Sequence, residues 1–264
     1  MSDSLGWAGI TQIIASAEEQ GTVLGVSIVL ANGERFSHNG NRRFVAASTV
    51  KIPIMIELFR GIDAGAQSLD MLHTLRAEEQ TTGSGIVASL HAGIELTLGD
   101  LAYLMMSISD NSATNILIDR AGMNQVNATM RDLEMRNSTL GRMMRGRHRL
   151  VDEEENWAVP NEYAGVIVAL LDDRAASPSS CARMLALLET QQNDRRIARH
   201  LPQTDRPRWG SKTGSLPGVS NDVGFIMTPR GPLILAVFCE GPPNPHAGEE
   251  IIGDIAKAVL DKDP

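Results

Sequence analysis

Ser48-Thr49-Val50-Lys51-Ile52-Pro53-Ile54-Met55-Ile56-Glu57-Leu58-Phe59-Arg60 joins an apolar helical repeat to a serine and a lysine at its start. The periodicity predicts a helix over Thr49–Arg60, and Pro53 is tolerable because it falls near the beginning, where a missing N–H costs little. Residues three apart at a helix start share a face, which brings the Lys51 amine within reach of the Ser48 hydroxyl. A serine is a poor nucleophile until a base takes its proton, and a lysine can be that base if burial or nearby positive charge lowers its pKa. The helix N-terminus also favours negative charge developing near Ser48. Of the 24 lysines and arginines only four are lysines, Lys51, Lys212, Lys257 and Lys262. Lysine is therefore scarce where plain positive charge would suffice, and of the two residues only lysine can give up its proton.

Working outward, Ile10, Ile13, Ile14 and Ala17 predict an amphipathic helix over Ala8–Glu19. Val23–Leu30, the turn Ala31-Asn32-Gly33-Glu34 and Arg35–His38 read as two strands joined tightly. From about Asp63 to Leu201 the chain is rich in Leu, Met, Ala and Arg and is expected to be predominantly helical. Beyond it, Arg208–Gly214, Asp222–Thr228 and Pro232–Cys239 read as strands, the last two joined at Pro229-Arg230-Gly231, and Ala247–Asp261 as a closing helix. Terminal strands bracketing a helical stretch imply one sheet built from both chain ends with an inserted all-helical lobe. The expected organisation is a single catalytic unit over 1–264, its sheet lobe from about 1–62 and 202–264 and its helical lobe from about 63–201.

With 264 residues, 42% of them hydrophobic, the chain can bury a sizeable core. A formal charge of -8 argues against nucleic acid or an anionic membrane surface as the main partner and favours a small molecule. Cys181 and Cys239 each sit in an apolar stretch and read as buried thiols. Residues 1–24 contain Asp3, Glu18 and Glu19 and show no basic start followed by an apolar run. The chain as it stands is thus expected in the cytoplasm, or in the periplasm or secreted if a leader was removed. The six histidines form no zinc-binding spacing, so neither metal nor cofactor is expected. Gly83-Ser84-Gly85 follows an acidic stretch instead of a strand, which sets aside a dinucleotide fingerprint. No Gly-x-Ser-x-Gly elbow occurs.

Two further triplets carry chemistry. Ser109-Asp110-Asn111 interrupts an apolar helical segment; a helix N-cap is its plain structural explanation. Lys212-Thr213-Gly214, followed by Ser215, ends an expected strand, where glycine permits a close approach to the backbone and the lysine and threonine suit a carboxylate. Ser-x-x-Lys alone arises by chance about once in a chain of this length, and each triplet in about one such chain in twenty. Occurring in order, the three form the signature set of class A β-lactamases and penicillin-binding proteins. The chain resembles the class A β-lactamase family, and Phe44-Val45-Ala46-Ala47, Leu96-Thr97-Leu98-Gly99-Asp100-Leu101 and Asn111-Ser112-Ala113-Thr114-Asn115-Ile116-Leu117 extend the resemblance over nearly the whole length.

The resemblance implies an α/β fold with a five-stranded antiparallel sheet flanked by helices, and a residue-by-residue assignment. Ser48 would be the acylated nucleophile, Lys51 the base or relay, and Ser109 the proton donor to the leaving nitrogen. Asn111 would orient the substrate's side-chain amide, Lys212 and Thr213 hold its carboxylate, and the N–H groups of Ser48 and Ser215 form an oxyanion hole beside Gly214. The family's Glu-x-x-Leu-Asn loop, whose glutamate activates the deacylating water, has no match here. Aligned from Ser138-Thr139-Leu140-Gly141-Arg142, the glutamate's position falls on Met144. The acidic run Asp152, Glu153, Glu154, Glu155 could supply a substitute, with Glu155 beside Asn156 the preferred choice; a solvated charge run beside Arg145–Arg149 is the bland alternative. Three functions fit such a site: a β-lactam hydrolase, a D-alanyl-D-alanine peptidase or esterase, and a β-lactam sensor that stays acylated.

Overall fold

The computed structural model describes residues 7–262; residues 1–6 and 263–264, assigned above to the ends of the sheet lobe, lie outside the described residues. Helix α1 (Ala8–Glu19) leads into β1 (Val23–Val29) and β2 (Arg35–His38), then the short β3 (Phe44–Val45) and α2 (Lys51–Asp63). Next come β4 (Leu72–Thr74), β5 (Glu95–Thr97), α3 (Leu98–Ser107), α4 (Asn111–Ala121), α5 (Met123–Asp132), β6 (Trp157–Ala158), α6 (Pro160–Leu171) and α7 (Pro178–Glu189). The chain closes with β7 (Trp209–Leu216), β8 (Val219–Thr228), β9 (Gly231–Glu240) and α8 (Pro245–Lys262).

The main sheet is antiparallel throughout, in the order β2-β1-β9-β8-β7, so the N-terminal hairpin pairs with the last strand of the C-terminal meander. Strand β9 reads as an unbroken apolar run because both its faces are covered. Ile234, Ala236 and Phe238 join the core shared with the inserted helices, while Leu233, Leu235, Val237 and Cys239 pack with α1 and α8. Helix α2 is buried along Lys51–Phe59 and packs against α4, α5 and α7, which is why it is apolar on every side. Helix α6 lies against β1, β8 and β9, linking the inserted region to the sheet. Both cysteines are buried free thiols.

Three expectations need correction. The helix expected from Thr49 begins two residues later, at Lys51, because Ala47–Val50 forms a 3-10 turn ahead of α2. Strands β7 and β8 run on past Gly214 and start before Asp222, meeting at Pro217-Gly218; their ends pair Ser215 with Ser220 and Leu216 with Val219, a ladder too short and too mixed in character for hydrophobic pattern to reveal. The inserted region is less helical than its composition suggested. It contains the ladder β4–β5 and the strand β6, which pairs back to β3 outside it, and most of residues 133–156 is irregular chain tied by side-chain bonds. Among the described residues no helix is long and apolar enough to cross a membrane.

Candidate active site

Ser48 lies in the 3-10 turn just ahead of α2, after Ala47, whose φ of 46° is unusual for a residue with a side chain. In a 3-10 turn, positions i and i+3 eclipse, so Lys51 sits directly beneath Ser48. The Lys51 side chain is fully buried, and Nζ donates to Ser109 O (2.7 Å), Ser109 Oγ (3.0 Å) and Asn111 Oδ1 (3.0 Å). None of these bonds goes to Ser48 Oγ; the lysine is held first by the Ser109–Asn111 segment. Burial pushes the amine well below the ordinary lysine range and the nearby Lys212 pushes it further, against the opposing pull of Asp110.

That segment has a divided role. Asp110 is the N-cap of α4, accepting from Ala113 N through Oδ1, and its Oδ2 accepts from Ile86 N and Val87 N. The capping explanation therefore holds for Asp110. Its flanking residues point elsewhere: Ser109, at φ 62°, presents both its carbonyl and its hydroxyl to Lys51, and Asn111 bridges Lys51 to Thr82 O. The cap thus locks the peptide that presents two polar groups to the lysine.

From the opposite wall, β7 supplies Lys212, Thr213, Gly214 and Ser215. A Cβ on Gly214 would stand 2.9 Å from Ala46 O and 3.2 Å from Ser48 N, so the glycine is needed for the strand to reach the Ser48 turn, a closer constraint than access for a ligand. Lys212 is fully buried and donates to Thr213 O at 3.0 Å. Burial brings its pKa down to about 7; Asp222 opposes the shift and Arg196 adds to it. Arg196 is a residue the sequence reading missed. Nearly all buried, it donates to Gly214 O (2.9 Å), Asn221 O (2.6 Å) and Ser215 Oγ (2.6 Å), bracing the end of β7. Asp222, also missed, is buried nearby with its pKa raised by burial. Neither lies in a motif, and only the fold brings them to β7.

Two cavities meet at Ser48, Ser84 and Ser215. One, of ≈ 520 Å³, is lined by Ser109, Thr213 and the polar stretch Gln191–Arg195. The other, of ≈ 570 Å³, is lined by Asn111, Met144, Asn156 and the arginines at 142, 145, 147 and 196. Met144 is buried in the second, its backbone N and O both bonded to the Asn115 side chain. Glu155 lines the same cavity at 4% exposure, and its Oε1 accepts from Arg142 Nε (3.0 Å) and Asn156 N (2.8 Å). Asn156 Oδ1 is occupied by Gly141 N and Arg142 N. Glu153, which does not line the cavity, is paired with Arg147, which with Leu150 N holds its carboxyl down at about 2.

A family model described as the β-lactamase enzyme family matches residues 8–262. β-Lactamase BRO-1 of Moraxella catarrhalis is 23% identical over 251 residues, which cover 89% of this chain and 78% of that protein. A β-lactamase structure from Sphaerobacter thermophilus is similar with a TM-score of 0.95 at 56% identity, covering 96% of each chain. A variant of the class A β-lactamase of the last common ancestor of Gram-negative bacteria is similar with a TM-score of 0.88 at 25% identity, covering 96% of this chain and 97% of that one.

Proposed function

The chain belongs to the β-lactamase enzyme family, in its class A branch, and we propose that it opens β-lactam amides through an ester on Ser48. The observation that carries this reading is the buried Lys51 amine, its pKa lowered by desolvation and by Lys212, and bonded to Ser109 Oγ at 3.0 Å. A neutral Lys51 takes the Ser48 proton as Oγ attacks the lactam carbonyl. The C–N bond then breaks, and the proton passes through Ser109 Oγ to the leaving nitrogen. The Ser48 and Ser215 N–H groups receive the oxyanion, where losing one such donor typically costs about 3 kcal/mol of barrier. Lys212 and Thr213 receive the substrate carboxylate, and Asn111 orients the acyl side-chain amide.

Hydrolysis of the ester needs a base for water. Of the carboxylates lining the two cavities, Asp194 is paired with Arg206 and Glu155 with Arg142. Both bonds to Glu155 fall on Oε1, so Oε2 is the oxygen assigned to the water. Arg142 occupies the other oxygen and would compete with the water for the carboxylate, and Met144 offers no base at all. Deacylation is accordingly the slow step.

The test is to mix the protein with a chromogenic cephalosporin and with benzylpenicillin, following colour and intact mass. A burst, an adduct on the chain and slower continued turnover are expected, with both signals lost in Ser48→Ala. An adduct of equal yield in Ser48→Ala would remove the serine from the mechanism.

A further inference from the structure

The cavity containing Asn111 is cationic in a chain of net charge -8. Its arginines are not equivalent. Arg142 is bonded to Glu155 and also donates to Arg147 O. Arg147 makes two bonds to Glu153, at 2.6 and 2.7 Å, and Arg196 is spent on β7. Arg145 makes no hydrogen bond among the described residues. The nearest carboxylate oxygen, on Glu153, is 3.9 Å away and is already shared with Arg147, and the Arg145 side chain is 56% exposed. The backbone that carries it is nonetheless braced. Met144 on one side is bonded twice to Asn115, and Gly146 on the other packs so closely on Gly83 that a Cβ there would stand 2.9 Å from the Gly83 Cα. A guanidinium with all its donors available is therefore held by braced chain at the wall of a cavity that reaches Ser48.

The two cavities divide the substrate. Ser109 lines only one of them and Asn111 only the other. If Ser109 protonates the leaving nitrogen, the leaving portion occupies the first, and the acyl side chain occupies the second, beside Arg145. We infer that Arg145 is a specificity-determining residue that selects acyl donors whose acyl side chain carries a carboxylate. This rests on the reading that β-lactams acylate Ser48. A guanidinium pairs with a carboxylate through two parallel N–H bonds, and a partly exposed pair of this kind gives a moderate, salt-sensitive preference.

The test compares the second-order acylation rates of benzylpenicillin and α-carboxybenzylpenicillin, read by intact mass, in the wild type, Arg145→Gln and Arg149→Gln. Arg149 belongs to the same loop but lies outside both cavities, so it controls for general charge. Arg145→Gln should slow the carboxylated substrate about fivefold while leaving benzylpenicillin within about twofold, and 0.5 M salt should shrink the difference. Arg149→Gln should leave both unchanged. An unaltered ratio in Arg145→Gln, or an equal loss in Arg149→Gln, overturns the assignment while leaving acylation at Ser48 intact. Failure of both penicillins to acylate the wild type overturns the proposed function, and this inference with it.

Discussion

Replacing Lys212 by arginine should change the pH profile of acylation in a way that follows from its burial. The ammonium has no exposed surface and its pKa is brought down to about 7. In the free enzyme the cationic form then falls tenfold per pH unit above neutrality, to about 1% by pH 9. If Lys212 must be charged to receive the substrate carboxylate, the second-order acylation rate, which reports free-enzyme ionisations, should drop about 100-fold between pH 6 and pH 9. Lys51 acts in the opposite sense, since it must be neutral, and burial and Lys212 both lower its pKa, so its limb rises with pH and does not produce an alkaline fall. Arginine does not deprotonate in this range, so in Lys212→Arg the alkaline fall should vanish, even if the larger head lowers the absolute rate. The assay is acylation by benzylpenicillin from pH 5 to 9.5, read by rapid quench and intact mass, with the fold checked by circular dichroism at each pH. A wild-type rate that stays flat to pH 9, or an alkaline limb that survives in Lys212→Arg, refutes the reasoning.

Two further outcomes concern the second half of the reaction. Glu155→Gln should slow decay of the acyl-enzyme by about 10²-fold or more, within the usual range for a general base, with acylation little changed; an unchanged decay rate removes Glu155 from the mechanism. Met144→Glu should speed that decay at least tenfold, because it places a carboxylate in the cavity shared by Ser48 and Asn156 without a paired arginine. Pulse-chase mass measurement of the adduct decides both, and a Met144→Glu adduct as long-lived as that of the wild type would show that the backbone there does not aim the side chain at the ester.

The reading of the fold succeeded where hydrophobic pattern and order along the chain carry the information. The N-terminal helix, the β1–β2 hairpin and the C-terminal meander all follow from local periodicity, and the pairing of the two chain ends follows from having no other place to bury β9. The lysine asymmetry was also visible, because it is a property of composition. The strand ends at Ser215 to Asn221 and the irregular chain around Met144 were not legible. Their residues mix polar and apolar types without a regular period, and the conformation around Met144 is set by a partner distant in sequence, Asn115.

Thus the three ordered motifs that hold Ser48, Lys51, Ser109, Asn111 and Lys212 were legible in the sequence alone, and the roles proposed for them follow from the resemblance those motifs carry together. Tertiary structure decided how those motifs are charged and spaced. It took Lys51 and Lys212 out of water, set Arg196 and Asp222 beside β7, and closed Gly214 onto the Ser48 turn. It also paired Glu155 with Arg142 and left Arg145 only a long, shared contact to Glu153. Desolvation and ion pairing depend on which groups share a volume, and no spacing along the chain records that.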